Sequence, residues 1–201
     1  MYTGDLTDNA MNGHGVYYKK DGSKYTGTFV NDLPEGDGIE EWEDGSIYIG
    51  TYEKGCKCGE GVFSFANGTK YSGAFENDLF SGKGQLSKGD QTSYEGNWYK
   101  GTLQSPATIY YPNGNVYEGA IENLLQNGKG VLVDHGVQFS GVWENGKLEG
   151  CVELKNTDGS VKKARYQGGK FMEWIDNASK WKSGPIDNSK DTGGGNKKKG
   201  F

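Results

Sequence analysis

The residues best able to do chemistry in this sequence are two histidines and three cysteines. His14 and His135 lie more than a hundred residues apart, so no nucleophile, base and orienting acid can be assembled around them. The spacing Cys56-x-Cys58 suits metal or redox chemistry, but tetrahedral zinc needs four ligands and only Cys151 is left over. We assign the pair to a loop, and we predict no catalytic residue, no metal site and no cofactor.

Pairs of glycines form a second candidate motif, since Gly-x-Gly recurs in GHGVYY, GDGIEE, GEGVFS and GKGVLV. Glycines at this spacing open dinucleotide-binding loops, but all four segments lack the third glycine and the helix that such loops require. Structural turns are the favoured interpretation, and we predict that the chain is not an enzyme.

Composition excludes several other classes of protein. Glycine accounts for 35 of 201 residues, more than twice its usual share, and helix formers are too sparse for a helical bundle. Aromatic residues, at 13%, are too frequent for a disordered chain. A net charge of −5 argues against a nucleic-acid partner. No secretory signal or membrane-spanning run is visible, and three cysteines fit a reduced, cytoplasmic protein.

A period of 23 residues organises the chain. The tripeptide Tyr-x-Gly recurs with this spacing, starting at Tyr2, Tyr25, Tyr48, Tyr71, Tyr94 and Tyr117. Phe139-Gly141 follows after 22 residues and Tyr166-Gly168 after 27. Counting each unit from its tyrosine as place 1, further glycines recur at places 12 and 14, and Asp-Gly or Asn-Gly recurs at places 20 and 21. Such self-similarity is the signature of a repeat protein.

Each unit predicts two strands. Large apolar residues at places 1 and 5 flank the glycine of place 3 and alternate with polar residues, and a second strand follows at places 15 to 18. The fold class is therefore all-β, a single-layer antiparallel β-hairpin repeat array. Stability in such an array comes from the stacking of neighbouring units.

The turn between units has two possible forms. Asp-Gly and Asn-Gly fit two-residue type I′ hairpins, but Pro112-Asn113-Gly114 fits a three-residue loop closed by a left-handed glycine, which we prefer. This loop puts places 12, 14, 16 and 18 on the same face as places 1, 3 and 5. The glycines of places 3 and 14 then oppose each other and leave room for aromatic rings across bare backbone.

These columns resemble the membrane occupation and recognition nexus (MORN) repeat, and the unit YSGAFENDLFSGKG shows the resemblance best. It covers about residues 2–170 in about seven units. Ser105, Ala107 and Val152 replace repeat glycines, and we expect altered packing there. The resemblance implies a non-catalytic scaffold or adaptor, cytoplasmic and in a cytoskeletal or ciliary (axonemal) assembly. The alternative it implies is a phosphoinositide- or membrane-binding module, or a regulatory fragment of a lipid kinase.

Two candidate surfaces follow. The first is an aromatic groove that accepts a helix or extended segment of a partner protein, lined by Tyr48, Tyr52, Tyr71, Phe75, Tyr94, Trp98, Tyr117 and Trp143. The second is a row of glutamates at place 6, which is either a solvated face or an acidic stripe for a basic partner. Its members are Glu53, Glu76, Glu122 and Glu144. Exposed edge strands at both ends also make homotypic association reasonable.

The last 31 residues differ from the repeats. Phe171, Trp174, Ile175, Ala178 and Trp181 recur at helical spacing, which predicts an amphipathic helix over 171–182 that caps the array or docks on another protein. Residues 183–201 show no periodicity, and we expect a flexible tail.

Overall fold

The computed structural model describes residues 1–175, which form one antiparallel sheet of 17 strands and no helix. The strands are β1 (Tyr2–Thr7), β2 (Ala10–Tyr18), β3 (Lys24–Val30), β4 (Leu33–Glu41), β5 (Ile47–Glu53), β6 (Cys56–Ser64), β7 (Lys70–Glu76), β8 (Leu79–Ser87), β9 (Ser93–Tyr99), β10 (Thr102–Leu103), β11 (Ala107–Tyr110), β12 (Val116–Glu122), β13 (Leu125–Asp134), β14 (Val137–Glu144), β15 (Lys147–Lys155), β16 (Val161–Gln167) and β17 (Lys170–Trp174). Within residues 1–175 no helix is long and apolar enough to cross a membrane.

The chain runs as a meander, so that strands adjacent in sequence pair with each other. The order departs from a simple meander at β9, which pairs with both β10 and β11. This confirms the predicted single-layer array of hairpins. Cys56 and Cys58 lie inside strand β6, so their assignment to a loop was wrong. The first strand of units two to four lies where it was predicted, but the second strand begins at place 9 rather than place 15. The glycines of places 12 and 14, such as Gly36 and Gly38 in β4, therefore lie inside this strand.

Two kinds of turn alternate along the sheet. Within a unit the strands join through two residues, such as Asn31 and Asp32, both with positive φ as a type I′ turn requires. Between units the loop has three residues, except between β13 and β14, where His135 and Gly136 form a two-residue turn. In one example Gly45 N–H donates to Trp42 O at 3.0 Å, and only Gly45 has positive φ, at 90°. The preferred three-residue loop is therefore confirmed.

The opposed glycines form a column that runs across the sheet. Gly50 pairs with Gly61 within unit three, and also with Gly38 of the preceding unit. The ring of Tyr48 lies over Gly50 and Gly61, where any Cβ would clash with it. Its hydroxyl donates to the carbonyl of Thr51 at 3.1 Å. Glycine is required here because a side chain would occupy the space of the ring.

Burial on one face of a single sheet is possible because the rings cover one another. The ring of Tyr48 meets Tyr52 edge-on at 5.3 Å and Phe75 of the next unit at 4.9 Å. Tyr25 contacts Tyr52 in the same way at 5.0 Å. Tyr25 and Tyr48 are thus each shielded by the place-5 ring of the following unit, and Tyr48 has no exposed surface. The fold is stabilised between neighbouring units, as in other repeat proteins.

Units five and seven pack differently, as expected. Ala107 and Val152 stand in the glycine column, and the space over Gly96 and Gly141 is filled by aliphatic side chains rather than by a tyrosine ring. The register also corrects one repeat boundary. Ala164 pairs with Val152, so Ala164 occupies place 3 and Tyr166 occupies place 5 rather than place 1.

The C-terminal helix is not supported. Lys170–Trp174 forms strand β17, which pairs with β16 through Tyr166 and Phe171. The predicted helix over 171–182 is therefore wrong at its start. Residues 176–182, and the expected tail at 183–201, lie outside the described residues.

Candidate functional site

The aromatic face is the side of the sheet that carries the side chains of places 1, 3 and 5. It holds all eight residues predicted to line the groove, and each is only 0–7% exposed: Tyr48, Tyr52, Tyr71, Phe75, Tyr94, Trp98, Tyr117 and Trp143. They form one continuous core. Burial raises the pKa of Tyr71 and of Tyr117 to about 12. These side chains form the floor of the aromatic face.

A second group of aromatic side chains on the same face is only half-buried. We call Trp42, Phe63, Phe65 and Phe80 the aromatic ladder. Trp42 stacks on Phe63 at 5.1 Å, Phe63 lies 4.4 Å from Phe65, and Phe65 meets Phe80 edge-on at 6.4 Å. The ladder is therefore a contiguous apolar surface that solvent reaches, beside the buried tyrosines.

A buried carboxylate lies on the aromatic face. Glu40 is 3% exposed and accepts hydrogen bonds from Lys19 Nζ, from Lys57 Nζ at 2.9 Å and from Tyr52 Oη at 2.9 Å. Burial alone would raise the pKa of Glu40, but the two lysines outweigh it and hold that pKa below its usual range. The carboxylate is thus charged and has its acceptors occupied.

Lys57 is enclosed from the other side by rings. Its ammonium lies over Trp42 at 5.0 Å, Tyr48 at 5.3 Å and Tyr52 at 5.5 Å, and Asp78 is 3.7 Å away. Cation–π contacts of this kind strengthen when the ammonium is shielded from water. The cluster of Lys19, Glu40, Lys57 and Asp78 thus contains one residue from each of units one to four, and it lies beside Trp42 of the aromatic ladder.

This cluster was not predicted from the sequence, although the repeats contain a signal for it. Place 16 holds an apolar or aromatic residue in every unit of the array but one, where it is Glu40. Place 10 is apolar in every unit except for Lys57 and Gln126. One acidic and one basic exception on the same face and in consecutive units predict a pair. Gln126 is also buried.

The four glutamates of place 6 lie on the opposite face, and all are exposed: Glu53, Glu76, Glu122 and Glu144. Their contacts are local. Glu53 pairs with Lys54 at 3.4 Å, Glu76 accepts from Ser81 at 3.2 Å, and Glu122 accepts from Asn127. Tyr99 takes the equivalent position in unit five and interrupts the row. A role for this stripe in binding a basic partner stays a prediction.

The chemistry-bearing residues considered first do not come together. Cys56, Cys58 and Cys151 are free thiols, and burial with nearby carboxylates raises the pKa of Cys58. His135 pairs with Asp134 at the surface, and His14 contacts Thr28 at 3.4 Å. Among residues 1–175 no cluster of histidine, cysteine and carboxylate side chains has the geometry of a metal site.

The repeat pattern identifies the family. The family model of the MORN repeat matches residues 2–24, 25–47, 48–70, 71–93, 94–116 and 139–151. The chain belongs to the MORN-repeat family. The MORN array also includes residues 117–138, which the family model does not match but which form the same hairpin as the other units. A comparison with curated proteins finds no match.

Three solved structures resemble the MORN array in part. The SAS-4 (dCPAP) TCP domain of Drosophila melanogaster, in complex with a proline-rich motif of Ana2 (dSTIL), has a TM-score of 0.47 and 11% identity over 82% of this chain and 97% of that chain. The TCP10c domain of Sas-4 from the same organism has a TM-score of 0.39 and 12% identity over 77% and 99%. The Danio rerio CPAP TCP10 domain, with a peptide of STIL, has a TM-score of 0.36 and 9% identity over 88% and 100%. All three TM-scores lie below 0.5.

Proposed function

We propose that this MORN-repeat chain is a non-catalytic scaffold or adaptor whose aromatic face binds a segment of a partner protein. The observation that carries the proposal is the aromatic ladder. Four large rings remain half-buried on a face that no second layer covers in the described residues. Exposed contiguous apolar surface of this kind is typical of interaction sites.

The buried tyrosines and the ladder have different roles in this proposal. The eight residues of the floor hold the sheet together and set the shape of the face. A partner helix or extended segment contacts chiefly Trp42, Phe63, Phe65 and Phe80, because these rings still have surface to lose. Burying the remaining area of one aromatic side chain stabilises a complex by about 1 kcal/mol or more.

The membrane alternative receives no support from the described residues. Lys162 lies on the aromatic face over the ring of Trp174 at 5.4 Å, whereas Lys163 and Arg165 lie on the opposite face and approach Glu153 and Glu173. Attraction to anionic lipid needs clustered basic residues on one surface. The remaining basic run, residues 197–199, lies outside the described part of the chain.

The cellular setting is proposed on family membership alone. We place the chain in the cytoplasm, as part of a cytoskeletal or ciliary assembly, because arrays of this family act as architectural modules. Pairing of two chains through exposed edge strands is compatible with such a role.

Site-specific photo-cross-linking tests the proposal. A photoreactive phenylalanine analogue replaces Phe65 on the ladder or, as the matched control, Ile49, which is 53% exposed on the opposite face. The proposal expects a defined protein cross-linked from position 65 and not from position 49. That protein, purified, should bind the wild-type chain and lose at least tenfold in affinity on Phe63→Ser with Phe65→Ser, while circular dichroism shows the fold retained. Equal cross-linking from both faces would overturn the proposal.

A further inference from the structure

The charged side chains of the aromatic face show what kind of partner it accepts. Between β2 and β12 the charged side chains on this face, or reaching its edge, include Lys19, Glu40, Lys57, Asp78 and Lys88. Glu40 is buried and already accepts three hydrogen bonds. It therefore offers no free acceptor to a ligand. Asp78 lies 3.7 Å from Lys57 Nζ, so the charged groups left for a ligand are chiefly ammonium donors.

Lys88 is the most available of these donors. Its Nζ lies 4.9 Å over the ring of Tyr94 and 3.3 Å from the hydroxyl of that residue, and it forms no ion pair with any residue in 1–175. Lys19 pairs with Glu40, yet its side chain keeps 38% of its surface exposed. Both lysines can therefore donate to an incoming carboxylate.

Three of the four carboxylates at the turns between units from β2 to β9, those of Asp21, Asp44 and Asp90, accept hydrogen bonds from their own backbone, and the fourth, Glu43, is exposed. Asp21 accepts from Ser23 N–H at 3.0 Å, and Asp90 accepts from Thr92 N–H at 2.9 Å. These bonds close the three-residue loops, which hold the carboxylates at the edge of the sheet. Among the described residues, the carboxylates on or beside the aromatic face between β2 and β12 are thus engaged within the chain, with the exception of Glu43.

Acidic residues are concentrated on the opposite face of the same strands. They alternate with the aromatic-face residues in the register of β4 to β7 and include Glu35, Asp37, Glu53, Glu60 and Glu76. The two faces thus differ in the sign of the charges that they present. The acidic residues of the opposite face repel an acidic partner, whereas the lysines of the aromatic face attract it. The charges therefore direct such a partner to the aromatic face.

We propose that the segment bound by the aromatic face is an acidic, apolar peptide of a partner protein. The proposal rests on the function proposed above. Lys19, Trp42, Phe65 and Lys88 all occupy place 18 of consecutive units, so they form a row perpendicular to the strands. At about 4.8 Å per strand the two lysines are about 29 Å apart, a distance that about nine extended residues span. Apolar side chains of the peptide pack on Trp42 and Phe65, and carboxylates near its two ends pair with the lysines.

The test is selection of a random 16-residue peptide library on the full chain, followed by titration of the selected peptides. The proposal expects enrichment in aspartate and glutamate together with apolar residues, and affinity that falls with added salt. Lys88→Glu should weaken binding about tenfold or more, and Lys88→Met should weaken it less. The matched control is Lys83→Glu, five residues earlier and on the opposite face, which should leave affinity unchanged.

The other outcomes separate the two proposals. Peptides that lose affinity on Phe65→Ser but are neutral or basic and insensitive to Lys88→Glu would overturn the acidic partner and leave the aromatic face as a binding site. Peptides insensitive to Phe65→Ser, or failure to select any, would overturn both. Binding of phosphatidylserine vesicles that requires Lys88, without peptide binding, would assign the lysines to a membrane and also overturn the inference.

Discussion

The contact between tyrosine rings and bare glycine backbone makes a sharp prediction at Gly130. A Cβ at this position would lie 2.5 Å from Cε2 of Tyr117 and closer still to its hydroxyl. Tyr117 has no exposed surface, donates to the carbonyl of Ala120 at 2.7 Å and meets Trp143 edge-on at 5.3 Å. Gly130→Ala should therefore expel the ring from its position.

The cost follows from what the ring loses. Burial of the side chain stabilises by about 1.5–3 kcal/mol, the hydrogen bond by about 1 kcal/mol and the edge contact by about 0.5–1.5 kcal/mol. Alanine offsets up to about 1 kcal/mol of this by restricting the unfolded chain. We expect Gly130→Ala to lower the free energy of unfolding by about 2–5 kcal/mol, measured by urea titration with circular dichroism.

Gly141 is the matched control because it pairs with Gly130 in the same column. A Cβ there would meet Val152 Cγ2 at 3.1 Å and Leu148 Cδ2 at 3.4 Å, so small shifts of two methyl groups suffice. Gly141→Ala should change stability by no more than about 1 kcal/mol. In a Tyr117→Leu background Gly130→Ala should cost much less than in the wild type. Equal losses at Gly130 and Gly141 would refute the reasoning.

Three further predictions concern the buried charge, the tyrosines and the turns. Glu40→Gln should destabilise by about 3 kcal/mol, because the buried ammonium of Lys57 loses its partner. Since the folded pKa of Glu40 lies below its ordinary value, the wild type should also lose stability as pH falls through that lowered pKa, and the variant should lack this component in acid urea titrations. Because the pKa of Tyr71 and of Tyr117 is raised to about 12, the tyrosinate absorbance of these two residues should appear only as the pH approaches that value. The stability that their neutral forms contribute should be lost between pH 10 and about 12. Ionisation of all tyrosines near pH 10 would contradict this. Gly45 has a φ of 90° with nothing near its Cβ position, so Gly45→Ala should cost about 1 kcal/mol from backbone strain alone and Gly45→Asn less, as thermal unfolding can show.

Repetition explains why much of the fold could be predicted from one sequence. A single unit leaves strand parity ambiguous, but six tyrosines in register fix which residues share a face. Pro112 then decided between two turns that Asp-Gly or Asn-Gly alone allows. The opposition of Gly50 and Gly61 followed from that turn, and the pairing confirms it.

The burial of each column could not be predicted in the same way. Parity places Tyr48 and Phe65 on one face, but it does not say that Phe75 of the next unit covers Tyr48 and leaves Phe65 half-buried. The prediction of a helix at the end of the array was wrong for another reason. Phe171, Trp174 and Ile175 fit a helical period, yet so short an apolar run also fits a strand, and the free edge of β16 decides the outcome by pairing.

The same repeat separates what holds the sheet together from what its partner contacts. Places 1, 3 and 14 are nearly uniform along the chain, because five of the six tyrosine rings of place 1 lie over glycine and beneath the next unit. Place 18 is not uniform: in chain order it is Lys19, Trp42, Phe65, Lys88, Tyr111, Asp134 and Asn156. A position that packing leaves free to vary from unit to unit can encode a linear pattern of charge and aromatic surface at a spacing of about 10 Å. Exchanging Phe65 with Lys88 keeps the composition of the row while changing its order. If a partner recognises the order of the row, this double variant should keep the wild-type stability to within about 1 kcal/mol but should no longer bind the peptides selected on the wild type. Unchanged binding would mean that the composition of the face matters and its order does not.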